Sequence, residues 1–230
     1  MIGKAARLLA KRTLRNIQHY AHKCGADLIV ISDDQCPKWP IGNKLRFGSI
    51  AKHYRRSLLL DVDIWVHQKS PNIFKSHSSG IWMQPDVFFV KKHGFDYLTD
   101  ELELLAEQHS LEVICRSTKQ ESKAGRWFDP PKYCPMIFNT GVILLDQVHA
   151  AAWRLPERPL KLSHTAEQAW IDLMLSNQFH IQRLESKWNW VAFGRNFQSR
   201  IKQSNFVHLA NCTHSARVRM LRKLEKERIS

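Results

Sequence analysis

The chain has 230 residues, 43% of them hydrophobic, which is enough to bury a substantial core and excludes wholesale disorder. Lys and Arg total 35 against 21 Asp and Glu, a formal net charge of +14 that favours polyanionic partners: nucleic acid, phosphorylated ligands or an anionic membrane surface. No stretch approaches the roughly 20 apolar residues of a membrane span, and neither an internal repeat nor a low-complexity tract occurs.

Ile2, Ala6, Leu9, Thr13, Ile17, Tyr20 and Cys24 recur at helical spacing, with Lys4, Arg7, Lys11 and Arg15 on the opposite side. Residues 2–24 therefore read as one basic amphipathic helix, with Gly25 at its C-cap position. "ADLIVIS" (26–32) reads as a short buried strand. "DDQCPKWPIGN" is a loop punctuated by Pro37, Pro40 and Gly42. Residues 43–55 look helical, and "SLLLDVDIWV" (57–66) is the next strand with its exit. "VFFV" (87–90) is another strand, followed by a helix over about 95–109 and the short strand "LEVIC" (111–115). "PMIFNTGVILLD" (135–146) is a long buried strand with an Asn-Thr-Gly interruption. Residues 165–178 form a helix whose Thr165 and Gln168 have capping-box spacing. "FVHLA" (206–210) is a late strand, and a second basic helix spans about 215–228.

Strands alternating with helices predict one α/β domain over residues 1–230, its central sheet mostly parallel and flanked by helices. The five cysteines, Cys24, Cys36, Cys115, Cys134 and Cys212, are odd in number and form no C-x-x-C pair. They point to a reducing compartment rather than to a zinc site or a disulfide framework. The first twenty residues lack the apolar run of a secretory signal. A cytoplasmic location is expected on both counts.

Asp61 and Asp63 stand where an apolar strand leaves the core. In α/β sheets ligands bind beyond the carboxyl ends of strands. Two carboxylates at i and i+2 of an extended chain point to one side, where with a third ligand they bind a hard divalent cation that bridges phosphate oxygens. The same spacing also suits a turn cap beside a surface ion pair.

"YRRSLLLDVDIWVHQKSPNIF" resembles the D-x-D strand of GT-A-fold glycosyltransferases, family 8 and its relatives above all. "GADLIVIS", "NKLRFGSIAKHY", "FNTGVILLD", "EQAWIDLML", "KWNW" and "FVHLAN" resemble further segments of that fold in the same order, over residues 14–214. The resemblance implies a nucleotide-diphospho-sugar transferase fold. It also implies a metal-dependent glycosyltransferase, of hexosyltransferase type, that moves sugar from a UDP-sugar or related donor to a glycan, lipid-linked or protein acceptor. It makes Asp61, Asp63 and His208 ligands of Mn²⁺ or Mg²⁺. It places Asn139 and Gly141 beside the donor sugar and acceptor, Glu167 and Gln168 on sugar hydroxyls, Lys44 on the diphosphate, and Trp188 and Asn189 around the acceptor.

Two departures stand against the resemblance. GT-A chains open with a strand before the first helix, between the strand at 26–32 and the D-x-D strand, whereas here Met1 leads straight into the helix. Family 8 chains often carry Lys-Pro-Trp after the metal-binding His, whereas here "LANCTHSARVRMLRK" follows His208, leaving Arg217 or Arg219 as the substitute. A truncated or catalytically inactive binding protein of this fold is therefore the alternative. A nucleic-acid binder is a more distant one, because no zinc-finger spacing, RNP motif or K-homology loop is present. The basic helices at the two ends instead suggest peripheral contact with an anionic membrane.

Overall fold

The structure is a computed structural model that describes residues 4–36, 40–86, 138–153, 166–176, 178–192, 200–210 and 212–227. The strands expected at 87–90 and 111–115, the helix at 95–109 and the Thr165 cap lie outside these residues.

Helix α1 (Lys4–Cys24) carries the amphipathic pattern of the sequence. It ends in a Schellman turn: Gly25 adopts φ +66, its N–H reaches His22 O, and the N–H of Ala26 reaches Ala21 O. The face of α1 toward the sheets is apolar except for Asn16, Thr13 and Tyr20, each satisfied by backbone. Asn16 exchanges two hydrogen bonds with Val66 (2.7 and 2.8 Å), and the Thr13 hydroxyl donates to Val62 O at 2.7 Å. The Tyr20 hydroxyl donates to Pro71 O at 2.7 Å. Paired in this way, the polar groups escape the penalty of burial and set the height of the helix over the strands.

The expected helix at 43–55 is a 3₁₀ turn (Pro40–Arg46) followed by α2 (Phe47–Ala51). The strand expected at 57–66 is two strands, β1 (Arg56–Leu60) and β2 (Ile64–Val66), which belong to different sheets. A turn at 61–63, closed by Ile64 N–H to Asp61 O, moves the chain from one sheet to the other. Then come α3 (Ile73–Ser76), β3 (Ile81–Pro85), β4 (Phe138–Asp146), α4 (Gln147–Ala150) and α5 (Ala166–Ser176). The chain continues through β5 (Ile181–Arg183), a 3₁₀ turn (Ser186–Trp188), β6 (Trp190–Val191), β7 (Phe206–His208) and α6 (His214–Glu227).

The α/β class stands, with helices flanking sheets ordered β1-β4-β3-β5 and β2-β7-β6. The sheets are mixed rather than mostly parallel: β1–β4, β3–β4 and β2–β7 pair antiparallel, β3–β5 and β6–β7 parallel. Strand–helix alternation suggested parallel pairing, but it does not say which strands become neighbours. Strand β4 is buried throughout because it has core on both faces. Ile143 and Leu145 pack with Leu45, Phe47, Trp153 and α5, whereas Val142 and Leu144 pack with Ile17, Tyr20, Trp188 and Phe206. A third cluster joins Leu9 of α1, Trp65, Val207 and Leu221 of α6.

Residues 26–32 are not a strand. A strand forms only with a neighbour to accept its hydrogen bonds. No described strand lies beside this segment, and Leu28 and Ile29 are 36% and 47% exposed.

Candidate functional site

The Asp61 backbone is held by its N–H to Gly141 O (2.9 Å), one step beyond the β1–β4 ladder. Asp63 is held from the other sheet, its carbonyl accepting Leu209 N–H at 3.1 Å. His208 ends β7, directly opposite Ile64. The 61–63 turn thus bridges the carboxyl end of β1 and the end of β7, and three side chains meet there. His208 Nε2 lies 3.4 Å from Asp63 Oδ1 and 3.8 Å from Asp61 Oδ2. One ligand atom from each residue lies within 4.8 Å of the others. That spacing suits three ligands sharing one ion at about 2.0–2.6 Å.

The neighbouring hydrogen bonds favour the same use. His208 Nδ1 faces Asn189 Oδ1 at 3.0 Å. Asn189 Nδ2 donates to Asn139 Oδ1 at 2.9 Å, and Asn139 Nδ2 donates to Asp86 Oδ2 at 3.2 Å. Each amide donates onward, so the chain is consistent only if Nδ1 carries the proton toward Asn189. In the neutral ring Nε2 then turns a lone pair toward two carboxylates, an all-acceptor pocket that a cation satisfies. Burial works to raise the Asp63 carboxyl, but with the His208 ring protonated, that ring and the Arg217 guanidinium outweigh it and hold it at about 2. Burial pushes the Asp61 carboxyl up, more than the Lys44 ammonium pulls it down.

The other expected residues divide into two groups around this point. Lys44 Nζ contacts Asp61 at 3.0 Å, Glu167 Oε1 at 2.9 Å and Thr140 Oγ1 at 3.2 Å. All three ammonium donors are thereby engaged, and burial is outweighed by the two carboxylates, which raise the Lys44 pKa. Lys44 therefore braces Asp61 against Glu167, where a diphosphate contact was expected. Gln168 donates to Asp86 Oδ2 at 3.3 Å, which places it in the Asn139–Asn189 network.

Gly141 was expected to let a ligand approach. The structure gives that space to His208: a Cβ on Gly141 would fall under 3.0 Å from Cε1, Nδ1 and Nε2 of the ring. Asn189, expected around the acceptor, instead orients His208, and Trp188 is core, stacked edge-on against Phe206 at 5.3 Å. Of the two candidate arginines, Arg217 reaches Asp63 Oδ2 at 3.2 Å and Arg219 is exposed. Sequence reasoning missed Asp86 and Thr140. Asp86 follows the unrecognised strand β3, whose Pro85 disguises it; Thr140 lies inside the noticed Asn-Thr-Gly interruption.

No family model matches the chain, and no curated protein matches it in sequence. The likeness is structural. A glycosyltransferase involved in the glycosylation of the major capsid of PBCV-1 superposes with a TM-score of 0.62 at 13% identity, over 96% of this chain and 95% of that one. The fold is that of the GT-A glycosyltransferases. Fainter likenesses are to the bifunctional glycosyltransferase WbbM (TM-score 0.44, 12% identity, 83% of this chain and 38% of that one) and the galactosyltransferase LgtC (0.43, 12%, 82% and 66%). Among the described residues no helix is long and apolar enough to cross a membrane.

Proposed function

We propose that the chain is a glycosyltransferase that moves a hexosyl group from a nucleotide-diphosphate-sugar, a UDP-sugar foremost, to a glycan, lipid-linked or protein acceptor. The observation that carries this reading is the meeting of Asp61, Asp63 and His208 at one point beyond the carboxyl end of β1. Mn²⁺ or Mg²⁺ held by these residues would neutralise the charge on the leaving diphosphate.

The chain's own groups supply the rest. Asn189 keeps the His208 ring oriented, and Lys44 with Glu167 holds Asp61 in place. Arg217 is partly exposed beside Asp63, its Nε bonded to Cys212 O and its Nη1 to Asp63, and its guanidinium is the cation offered to a diphosphate oxygen. Asn139 and Gln168, tied to Asp86, form the polar wall available to a sugar. Residues positioned in this way accelerate transfer mainly by aligning donor and acceptor.

Titration calorimetry with Mn²⁺ and UDP-sugars tests the reading on wild type and Asp63→Asn, a nearly isosteric change. The variant should lose affinity by about 10–100-fold, as metal sites do when a ligand or its support is removed. Equal affinity in the two proteins would refute the role. Release of free sugar from the donor, abolished by EDTA, separates an enzyme from a binding protein of the same fold.

The second part of the proposal is peripheral contact with an anionic membrane from the cytoplasmic side. Its support is a basic surface across two helices that touch: Arg12 and Glu225 pair at 2.7 Å between α1 and α6. Around that pair Arg7, Lys11 and Arg15 of α1 and Arg219, Arg222, Lys223 and Lys226 of α6 are exposed. Each basic residue near such a surface contributes about 1 kcal/mol. Contact of this kind would hold the site beside a lipid-linked acceptor.

A further inference from the structure

The stretch of β4 that reaches the candidate site departs from the regular ladder with β3. Met83 stands opposite Ile143, but the next residue, Gln84, stands opposite Asn139. One step along β3 thus spans four along β4, and residues 140–142 bulge out of that ladder. Side chains hold the stretch in its place. Asp86 accepts from the Asn139 amide at 3.2 Å, Glu167 from the Thr140 hydroxyl at 3.1 Å, and Asp172 Oδ2 from the Phe138 N–H at 2.8 Å. Glu167 and Asp172 both come from α5, whose Gln168 donates to Asp86 as well.

Asp172 differs from the other two acids. It is 2% exposed, and its Oδ1 is buried without a hydrogen-bond partner. It has no ion pair among the described residues: Lys44, the nearby ammonium, engages its donors on Asp61, Glu167 and Thr140. An ionised carboxylate in that position would lack both water and a counter-ion, and a group so placed takes up a proton instead. Burial pushes the Asp172 carboxyl well above its ordinary range; the Phe138 N–H and Lys44 oppose the push, and the charges of Asp86 and Glu167 add to it.

We propose that Asp172 is a positioning residue that works as a neutral carboxylic acid, its proton on Oδ1 and its Oδ2 tying the start of β4 to α5. Neutrality is what lets the tie hold. An ionised Asp172 would repel Asp86 and Glu167, the acids that grip the next two residues of β4, and would drive α5 away from Asn139 and Thr140. Asn139 in turn accepts from Asn189, the brace of His208. The bearing of Asp172 on sugar transfer rests on the function proposed above; its proton and its hold on β4 do not.

Asp172→Asn and Asp172→Leu separate the proton from the tie. The amide keeps an acceptor for Phe138 N–H and is neutral at every pH, whereas Leu has a similar shape and accepts nothing. Urea denaturation of wild type and Asp172→Asn from pH 5 to 7 reads the proton. An unfolded Asp releases its proton near pH 3.9, but folded Asp172 keeps it, so wild type loses stability as pH rises and the Asn variant escapes that loss. The ratio of the two unfolding constants should shift about tenfold per pH unit in favour of Asp172→Asn, whatever fixed cost the amide carries. Amide hydrogen exchange reads the tie. The Phe138 N–H and the Gly141 N–H, which donates to Asn139 Oδ1 at 3.0 Å, report the start of β4, and Ile143, paired with Leu59, is the internal standard. In Asp172→Leu both should exchange at least about tenfold faster relative to Ile143, and in Asp172→Asn both should match wild type. A constant stability difference between wild type and Asp172→Asn from pH 5 to 7 overturns the proposal, since it means an ionised Asp172. Wild-type protection of Phe138 and Gly141 in Asp172→Leu overturns it too, since β4 is then tied elsewhere. Should Asp172→Leu fail to fold, the pH slope decides alone. Neither measurement uses metal or donor, so a failure of the transferase reading would show in the calorimetry and not here.

Discussion

Gly141→Ala changes one hydrogen to a methyl at the point where β4 meets the candidate metal site. The added Cβ would stand 2.5 Å from His208 Nδ1 and 2.9 Å from Nε2. Carbon and nitrogen atoms rest about 3.5–4.0 Å apart, so the ring must retreat by about 1 Å. It has little freedom to do so. The β7 ladder pairs His208 with Ile64, and Asn189 grips Nδ1 at 3.0 Å. Overpacking of this kind costs about 1–3 kcal/mol. A ring displaced by 1 Å no longer presents Nε2 within the roughly 0.2 Å tolerance of metal coordination, so Mn²⁺ affinity should fall by about 10–100-fold. Urea denaturation gives the first quantity and calorimetric titration with Mn²⁺ the second. Val142→Ala is the control: the next residue of the same strand packs into the core cluster with Ile17 and Tyr20, so it should lower stability and leave Mn²⁺ binding unchanged. If Gly141→Ala binds Mn²⁺ as wild type does, the packing of His208 on Gly141 is not what shapes the site.

Lys44→Met leaves Glu167 and Asp61 without their cation and should cost about 3–5 kcal/mol in urea denaturation, the usual loss when one partner of a buried pair goes. Lys44→Met/Glu167→Gln should recover part of that loss; strict additivity of the two changes would show that the residues are not coupled. Asp146 pairs with Arg56 at 2.7 Å and accepts from Gly80 N–H at 2.8 Å and from the Ser79 hydroxyl, across the β1–β4 register. Burial works to raise the Asp146 carboxyl, but these partners outweigh it and hold it below its ordinary value. A depressed carboxyl stabilises the fold above its unfolded pKa of about 3.9 and loses that effect as pH falls through the folded value. Asp146→Asn should therefore cost about 1.5–3 kcal/mol at pH 7 and progressively less below about pH 4, as thermal melts across pH would show; a pH-independent loss contradicts the assignment. Flotation with anionic vesicles should capture the protein at low salt and release it at high salt, whereas no capture at low salt would rule out the basic surface of α1 and α6 as a membrane contact.

Local patterns carried much of the fold. The 3.6-residue period of α1, the glycine at its left-handed cap and the apolar run of β4 each depend on a few neighbouring residues, so each is legible along the chain. The spacing of Asp61 and Asp63 likewise announces a pair of carboxylates at a strand exit. Sequence alone thereby determined the helix at each end, the buried central strand and two of the three residues that meet at the candidate site. Tertiary structure decided what those residues face. The split of 57–66 into strands of two sheets, the loss of a strand at 26–32 and the antiparallel pairing of β1 with β4 all depend on which segment lies alongside, and that is not written in either segment. Neither is the hydrogen bond between Asn189 and His208, the burial of Lys44 between Asp61 and Glu167, or the contact of Arg217, rather than Arg219, with Asp63. Hydrogen bonds and charge pairs act over about 3–4 Å in space, between residues as far apart as 44 and 167 or 63 and 217, so only the folded chain brings their partners together.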